Sequence, residues 1–309
     1  MIRPLYKTQT MKTLLAAFGA ALILTSCGSG TKPDEQAFLN TLDSAELTGP
    51  VIDSEILGSI LDQIPSPLET SVLLKQSGQK YNQTILNAPG NVSKYNTSYK
   101  KALNLGVYGT DLGYTNIYEQ KMAGIKYISS IKELAEDLGI GQYFDVETIG
   151  KLATNSRNLD SLLLITTQNF NLINQHLQRE NKSDLSVLLL VGGWMEALEI
   201  TCQVAAADKG NTQLKETIGA QKIILEQLVL LLSFYEKDQQ MASLLADFNE
   251  LQALFDAINI TYTYKESTME VVDGVAMIKD NSTTTIDITD EDVTNIQAKM
   301  TEIRNRATE

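Results

Sequence analysis

The chain has 309 residues, 43% of them hydrophobic, and a formal net charge of −13. That acidity, with no block of consecutive Lys or Arg to offset it, argues against nucleic acid as a partner, because the two polyanions would repel. One histidine and two cysteines leave little room for metal, nucleophilic or disulfide chemistry.

In chain order, the basic residues Arg3, Lys7 and Lys12 precede an apolar run, Leu14-Leu15-Ala16-Ala17-Phe18-Gly19-Ala20-Ala21-Leu22-Ile23, which closes in Leu24-Thr25-Ser26-Cys27. The run is roughly half of the 20 or so apolar residues that a spanning helix needs, so it reads as the core of a secretory signal. The Leu-Thr-Ser-Cys tetrad resembles the lipobox of bacterial lipoproteins. That resemblance implies that residues 1–26 are removed, that Cys27 carries acyl chains on its thiol and its new amino group, and that the membrane is a partner through those chains. Two chains suffice for stable attachment, each buried methylene contributing about 0.8 kcal/mol. Gly28 rather than Asp after the cysteine implies the outer membrane, with the periplasmic or surface face left open. Met11-Lys12 opens a compact signal by itself, so a start of translation at Met11 is an alternative. Cleavage would remove three cations and no acid, deepening the charge from −13 to −16.

Residues 27–36 are small, polar and interrupted by Pro33, the composition of a flexible tether. From 37 to 259 the apolar residues recur at helical spacing, which predicts a helical bundle domain. Helices are expected over 68–86, 92–118 and 120–138, with a turn or kink near Glu119 and a stop at Gly139-Ile140-Gly141. The seam Ile149, Leu152, Ser156, Leu159, Leu163, Thr166, Phe170, Ile173, Leu177 predicts one helix of about 35 residues. Two segments, 185–204 and 214–235, are apolar nearly all round and should lie centrally. Glu196 and Glu199 interrupt the first and Lys215, Glu216, Lys222 and Glu226 the second, which argues against bilayer crossing. Met241, Leu244, Phe248, Leu251, Phe255 and Ile258 form a further stripe.

Past Ile258 the period becomes two. Ile260-Thr261-Tyr262-Thr263-Tyr264 and Thr283-Thr284-Thr285-Ile286-Asp287-Ile288 alternate as strands do, and 269–278 carries a turn signal at Asp273-Gly274. Thr289-Asp290-Glu291-Asp292 opens a last helix with Val293, Ile296, Met300 and Ile303 on its apolar face. Residues 260–309 are thus expected to add a short strand element and a C-terminal helix. The fold class is all-α: a multi-helix up-and-down or solenoid-like bundle with a small strand-like element near the C-terminus. A faint internal repeat aligns Leu105-Gly106-Val107-Tyr108 with Val191-Gly192-Gly193-Trp194.

Catalytic patterns are absent. His176 stands on a polar helix face, no Glu-x-x-His pair, glycine-rich phosphate loop, dinucleotide fingerprint or CxxC occurs, and Cys202 reads as a buried, inert thiol. No catalytic residue, metal ligand or cofactor is expected. The unusual segment is 104–118, in which Ala102, Gly106, Gly109 and Gly113 form a small-residue stripe beside Asn104, Tyr108, Asp111, Thr115 and Tyr118. Three glycines cost a helix roughly 1 kcal/mol each against alanine, so a close approach is implied. Gly192-Gly193-Trp194-Met195-Glu196 offers a similar arrangement. Two readings follow: a filled crossing of two helices, or a glycine-lined cleft in which Tyr108, Asp111, Trp194 and Glu196 bind a small polar or cationic ligand. The first goes with a non-enzymatic interaction or scaffold module whose partner is another envelope protein, the second with a solute- or substrate-binding lipoprotein.

Overall fold

The computed structural model describes Leu74 and residues 78–144, 159–272, 275–279 and 281–309, all within one unit, Thr48–Glu309. The signal segment, Cys27, the tether and the first part of the long seam lie outside the described residues.

The chain enters as an irregular strap over residues 78–97, with 3-10 turns at Gln83–Ile85 and Pro89–Lys94. A helix over 68–86 and one starting at 92 were expected here; Leu74 is helical, but from residue 78 the chain departs from it, with Gly78 at φ +76 and the Asn82 side chain capping a single short turn. Pro89 lacks an amide hydrogen and enters only at a helix start. Helix α1, Ser98–Ile117, begins where the Thr97 side chain accepts the Lys100 amide. Glu119, at φ +59, turns the chain into α2, Lys121–Asp137, and Gly139 at φ +74 ends it. Left-handed backbone of this kind favours glycine, which lacks a Cβ.

The described part of the long seam is α3, Leu159–Arg179, where Ile173 and Leu177 are buried. The central pair follows as α4, Ser183–Ala207, and α5, Thr212–Ser233, then α6, Gln239–Phe255. Helix α4 is long and apolar enough to cross a membrane by length and composition, despite its two glutamates. However, 89% of its most apolar stretch is buried within the protein, the position of a core helix. All of the stripe from Met241 to Ile258 is buried, as is Cys202, whose thiol is pushed up by loss of solvent.

Four strands then form a long antiparallel arm: β1, Asn259–Thr263, pairs with β4, Thr283–Asp287, and β2, Thr268–Val272, with β3, Val275–Lys279. Val272 pairs with Val275, so the two intervening positions are Asp273 and Gly274, as the turn signal required. Between the two ladders Asn281 Nδ2 donates to the Glu266 carbonyl at 2.8 Å, and the Ser282 hydroxyl accepts from the Lys265 amide at 3.2 Å. The arm is rooted where Ile260 and its partner Ile286 pack against the core. A Cβ on Gly219 of α5 would come within 2.6 Å of the Ile286 methyl. Farther out, Tyr262, Tyr264 and Met269 are 62%, 71% and 74% exposed.

Helix α7, Asp290–Thr308, starts at a capping box in which Thr289 and Asp292 bond each other's backbone amides. It returns to the core through Val293, Ile296, Met300 and Ile303. The last helix is therefore structurally part of the bundle, although the whole strand arm separates it from α6 in sequence.

Candidate functional site

Helices α1 and α4 cross at their glycines. A Cβ on Gly106 would fall inside contact distance of the Leu189 carbonyl oxygen and 2.6 Å from the Gly193 nitrogen; one on Gly192 would strike the Leu103 carbonyl oxygen. The contact is reciprocal: each glycine meets the residue three before the other. This is backbone against backbone, tightened by Thr110, whose hydroxyl donates to the Gly193 carbonyl at 2.9 Å. Gly109 belongs to the same sequence stripe but points to open space. Of the two readings of the glycines, the filled crossing is the one observed.

One turn beyond the crossing, Asp111 of α1 and Glu196 of α4 are both fully buried, with their carboxyls facing each other. Arg304 of α7 closes on Glu196 as a fork, Nε to Oε2 at 2.9 Å and Nη2 to Oε1 at 2.8 Å. Such bidentate pairing is the strongest form of a charge-assisted bond. Asp111 Oδ2 accepts the Asn87 amide at 3.2 Å, whereas no N–H or hydroxyl donor reaches Oδ1. Burial, then the charge and hydrogen bond of Glu196, hold the Asp111 carboxyl well above the usual carboxylate range, against the opposing pull of Arg304 and the Asn87 amide. A carboxyl in a dry site beside a second carboxylate resists ionisation, which is the direction seen for Asp111.

The strap covers this cluster, and Asn87 is its keystone. Besides its amide, its Nδ2 donates to Tyr95 Oη at 2.8 Å and to Asn104 Oδ1 at 3.3 Å, its carbonyl accepts from Tyr127 Oη at 2.9 Å, and its Oδ1 accepts from Asn91 at 2.8 Å. Arg304 Nη2 also donates to the Ile85 carbonyl at 3.2 Å, Tyr108 Oη to that of Ala88 at 3.0 Å, and Ser130 to that of Pro89 at 3.0 Å. Asn104 in turn donates to the Ala307 carbonyl at 2.9 Å, tying α1 to the end of α7. A neighbouring carboxyl, Glu199, is held separately by Thr301 and Gln203, and burial raises it too.

Tyrosines form the outer wall. Tyr95, Tyr108 and Tyr127 pack with tilted rings at centroid distances of 6.2 and 5.8 Å, and Tyr81, Tyr114 and Tyr118 form a second group at 4.8 to 5.9 Å. Burial raises the Tyr108 and Tyr127 hydroxyls far above their ordinary value and that of Tyr81 to about 12.

Three of the four residues singled out in the sequence, Tyr108, Asp111 and Glu196, come together as buried partners of one another and of the strap. Trp194 does not join them. Two residues before Glu196 on α4, it turns to the other side, donates to Gln221 Oε1 at 2.9 Å and packs on Phe248 at 5.7 Å. Residues two apart on a helix do not share a face. His176 is likewise structural, its ring 5.3 Å from that of Tyr143. Sequence reasoning missed Arg304 and Asn87. Arg304 carried a signal, since it continues the i, i+4 row Ile296, Met300 on an otherwise apolar face; Asn87, in an irregular segment, carried none. Among the described residues no group of three His, Cys, Asp or Glu side chains is arranged to hold a metal ion. No family model matches the chain, and no curated protein or solved structure matches it.

Proposed function

We propose that the protein is a lipid-anchored envelope protein that acts as a non-enzymatic interaction or scaffold module, tethered through Cys27 in the outer membrane, with another envelope protein as partner. The observation that carries the reading is the filled α1–α4 crossing. The residues that would have lined a ligand cleft are spent on one another: the Arg304 fork occupies Glu196, and the Asn87 keystone occupies Asp111, Tyr95 and Tyr127. The arm carries three of the eight exposed large apolar side chains among the described residues, Tyr262, Tyr264 and Met269, and aromatic groups with a polar end suit protein contact.

Two experiments test the proposal. Palmitate labelling of cells should mark the wild-type protein and not Cys27→Ala; equal labelling overturns the anchor. A photo-crosslinker introduced at position 264 should give a discrete adduct in intact cells that one at Glu226 on α5 does not. A small molecule that raises Tm in wild type but not in Glu196→Gln would replace this reading with ligand binding.

A further inference from the structure

Residues 120–132 hold three lysines and neither Asp nor Glu, in a chain whose net charge is −13. This segment opens α2, and its two sides differ. Gly124, Tyr127, Ile128 and Ile131 are buried against the body, whereas Lys121, Met122, Ile125, Lys126, Ser129 and Lys132 are exposed along the opposite side. Met122 is 74% exposed and Ile125 48%, so two large apolar side chains one turn apart stand in water between lysines. Lys94, also exposed, ends the 3-10 turn that lies against α2 through the Ser130 bond to the Pro89 carbonyl. Lys132 pairs with Glu136 at 3.6 Å, and among the described residues no carboxylate forms an ion pair with Lys94, Lys121 or Lys126.

We propose that this ridge of α2 rests on the membrane, its lysines on anionic lipid headgroups and Met122 and Ile125 inserted between them. The inference rests on the acyl anchor at Cys27 for what brings a membrane within reach. Lysines flanking exposed apolar side chains are the pattern of a helix that lies in the plane of a bilayer surface, and an anionic leaflet attracts such lysines within a Debye length. The rest of the chain is more acidic than the whole and is repelled by the same leaflet, which leaves the ridge as the side that can face it. Helix α2 itself turns acidic at Glu133, Glu136 and Asp137, and this confines the contact to its first half. A stable protein interface needs roughly 800 Å² from each partner, more than two apolar side chains and a few lysines supply. A tethered protein needs far less, because its anchor sets a high effective concentration at the surface.

The test places the full acylated chain on vesicles of phosphatidylcholine, alone or mixed with phosphatidylglycerol, with a polarity-sensitive dye on Ile125→Cys. Cys202 is fully buried and does not compete for the dye. Emission should shift to the blue on the mixed vesicles only. The shift should be lost at 1 M salt, where the Debye length is about 3 Å, and in Lys121→Glu combined with Lys126→Glu. Dye on Glu226→Cys, on α5, should not shift. All of these positions are exposed, so the variants leave the core intact. No shift on mixed vesicles, an equal shift on neutral ones, or a shift that survives the double substitution would overturn the proposal. So would a photo-crosslinker at position 122 that captures one discrete protein in intact cells, which would assign the ridge to an acidic protein instead. Co-sedimentation with neutral vesicles reads the anchor separately: a chain that stays in solution there, yet shifts on mixed vesicles, lacks the anchor and keeps the ridge.

Discussion

At the residue scale, Arg304 carries most of the electrostatic burden. It reaches across from the last helix to a glutamate 108 positions earlier, and its side chain is 14% exposed, so solvent screens it little. Removing one partner of a buried ion pair strands the other, a loss of about 3 to 5 kcal/mol, whereas replacing both by apolar groups is often nearly neutral. Arg304→Met should therefore lower the unfolding free energy by about 3 kcal/mol in urea titrations. Arg304→Met combined with Glu196→Met should recover part of that loss, the non-additivity expected of groups in contact. Equal destabilisation in the single and double variants would show that the pair is not a unit. Trp194, the chain's single tryptophan, is packed between α5 and α6 and supplies the emission signal for both measurements.

At the element scale, the crossing of α1 and α4 makes glycines that look alike in sequence behave in opposite ways. Gly106 and Gly109 both sit in the middle of α1, three residues apart, and each costs the helix roughly 1 kcal/mol against alanine. At Gly106 an added Cβ meets the backbone of α4, which cannot step aside as a flexible side chain can; at Gly109 it meets nothing. Thermal melts should show Gly106→Ala destabilised by about 3 kcal/mol and Gly109→Ala stabilised by about 1 kcal/mol. The stripe predicted from sequence was thus half right: periodicity identifies the face, but only the neighbour's position says which small residues are required. The same limit explains the strap. Apolar spacing over 68–86 suggested a helix, yet residues 78–97 are fixed by hydrogen bonds to Asp111, Tyr127 and Arg304, which lie 24 to 219 positions away. Elements closed by short-range chemistry fared better. The Thr289–Asp292 capping box, the left-handed Gly139 and the Asp273-Gly274 position between paired strands are all local features, and all were legible.

At the scale of the whole molecule, charge and burial combine to make the protein sensitive to alkali. A carboxyl raised in the folded state binds its proton more tightly there than in the unfolded chain. Its contribution to stability is complete below the unfolded value near 3.8 and is lost as pH climbs toward the folded value. Glu199, also raised, acts in the same direction. The surface excess of acids adds self-repulsion over the same range. Unfolding free energy measured in urea should therefore fall from pH 5 to pH 8. Raising salt to 1 M, where the Debye length is about 3 Å, should restore the surface part and leave the buried part untouched. A stability that rises with pH would contradict the raised Asp111.

The sequence by itself determined the helical class, the central place of the two most apolar helices, the strand arm with its turn, and the capped last helix, because each follows from the spacing of side chains along a few turns of chain. It also singled out Tyr108, Asp111 and Glu196 as out of place in a generic bundle. Only the tertiary structure decided what they are for. Whether glycines leave a cleft or let backbones touch, whether Trp194 joins Glu196 or turns away, and whether Asp111 is charged all depend on groups brought from remote parts of the chain. Arg304 and Asn87 supply the counter-charge and the cover, and a buried carboxyl takes its protonation state from its surroundings rather than from its neighbours in sequence.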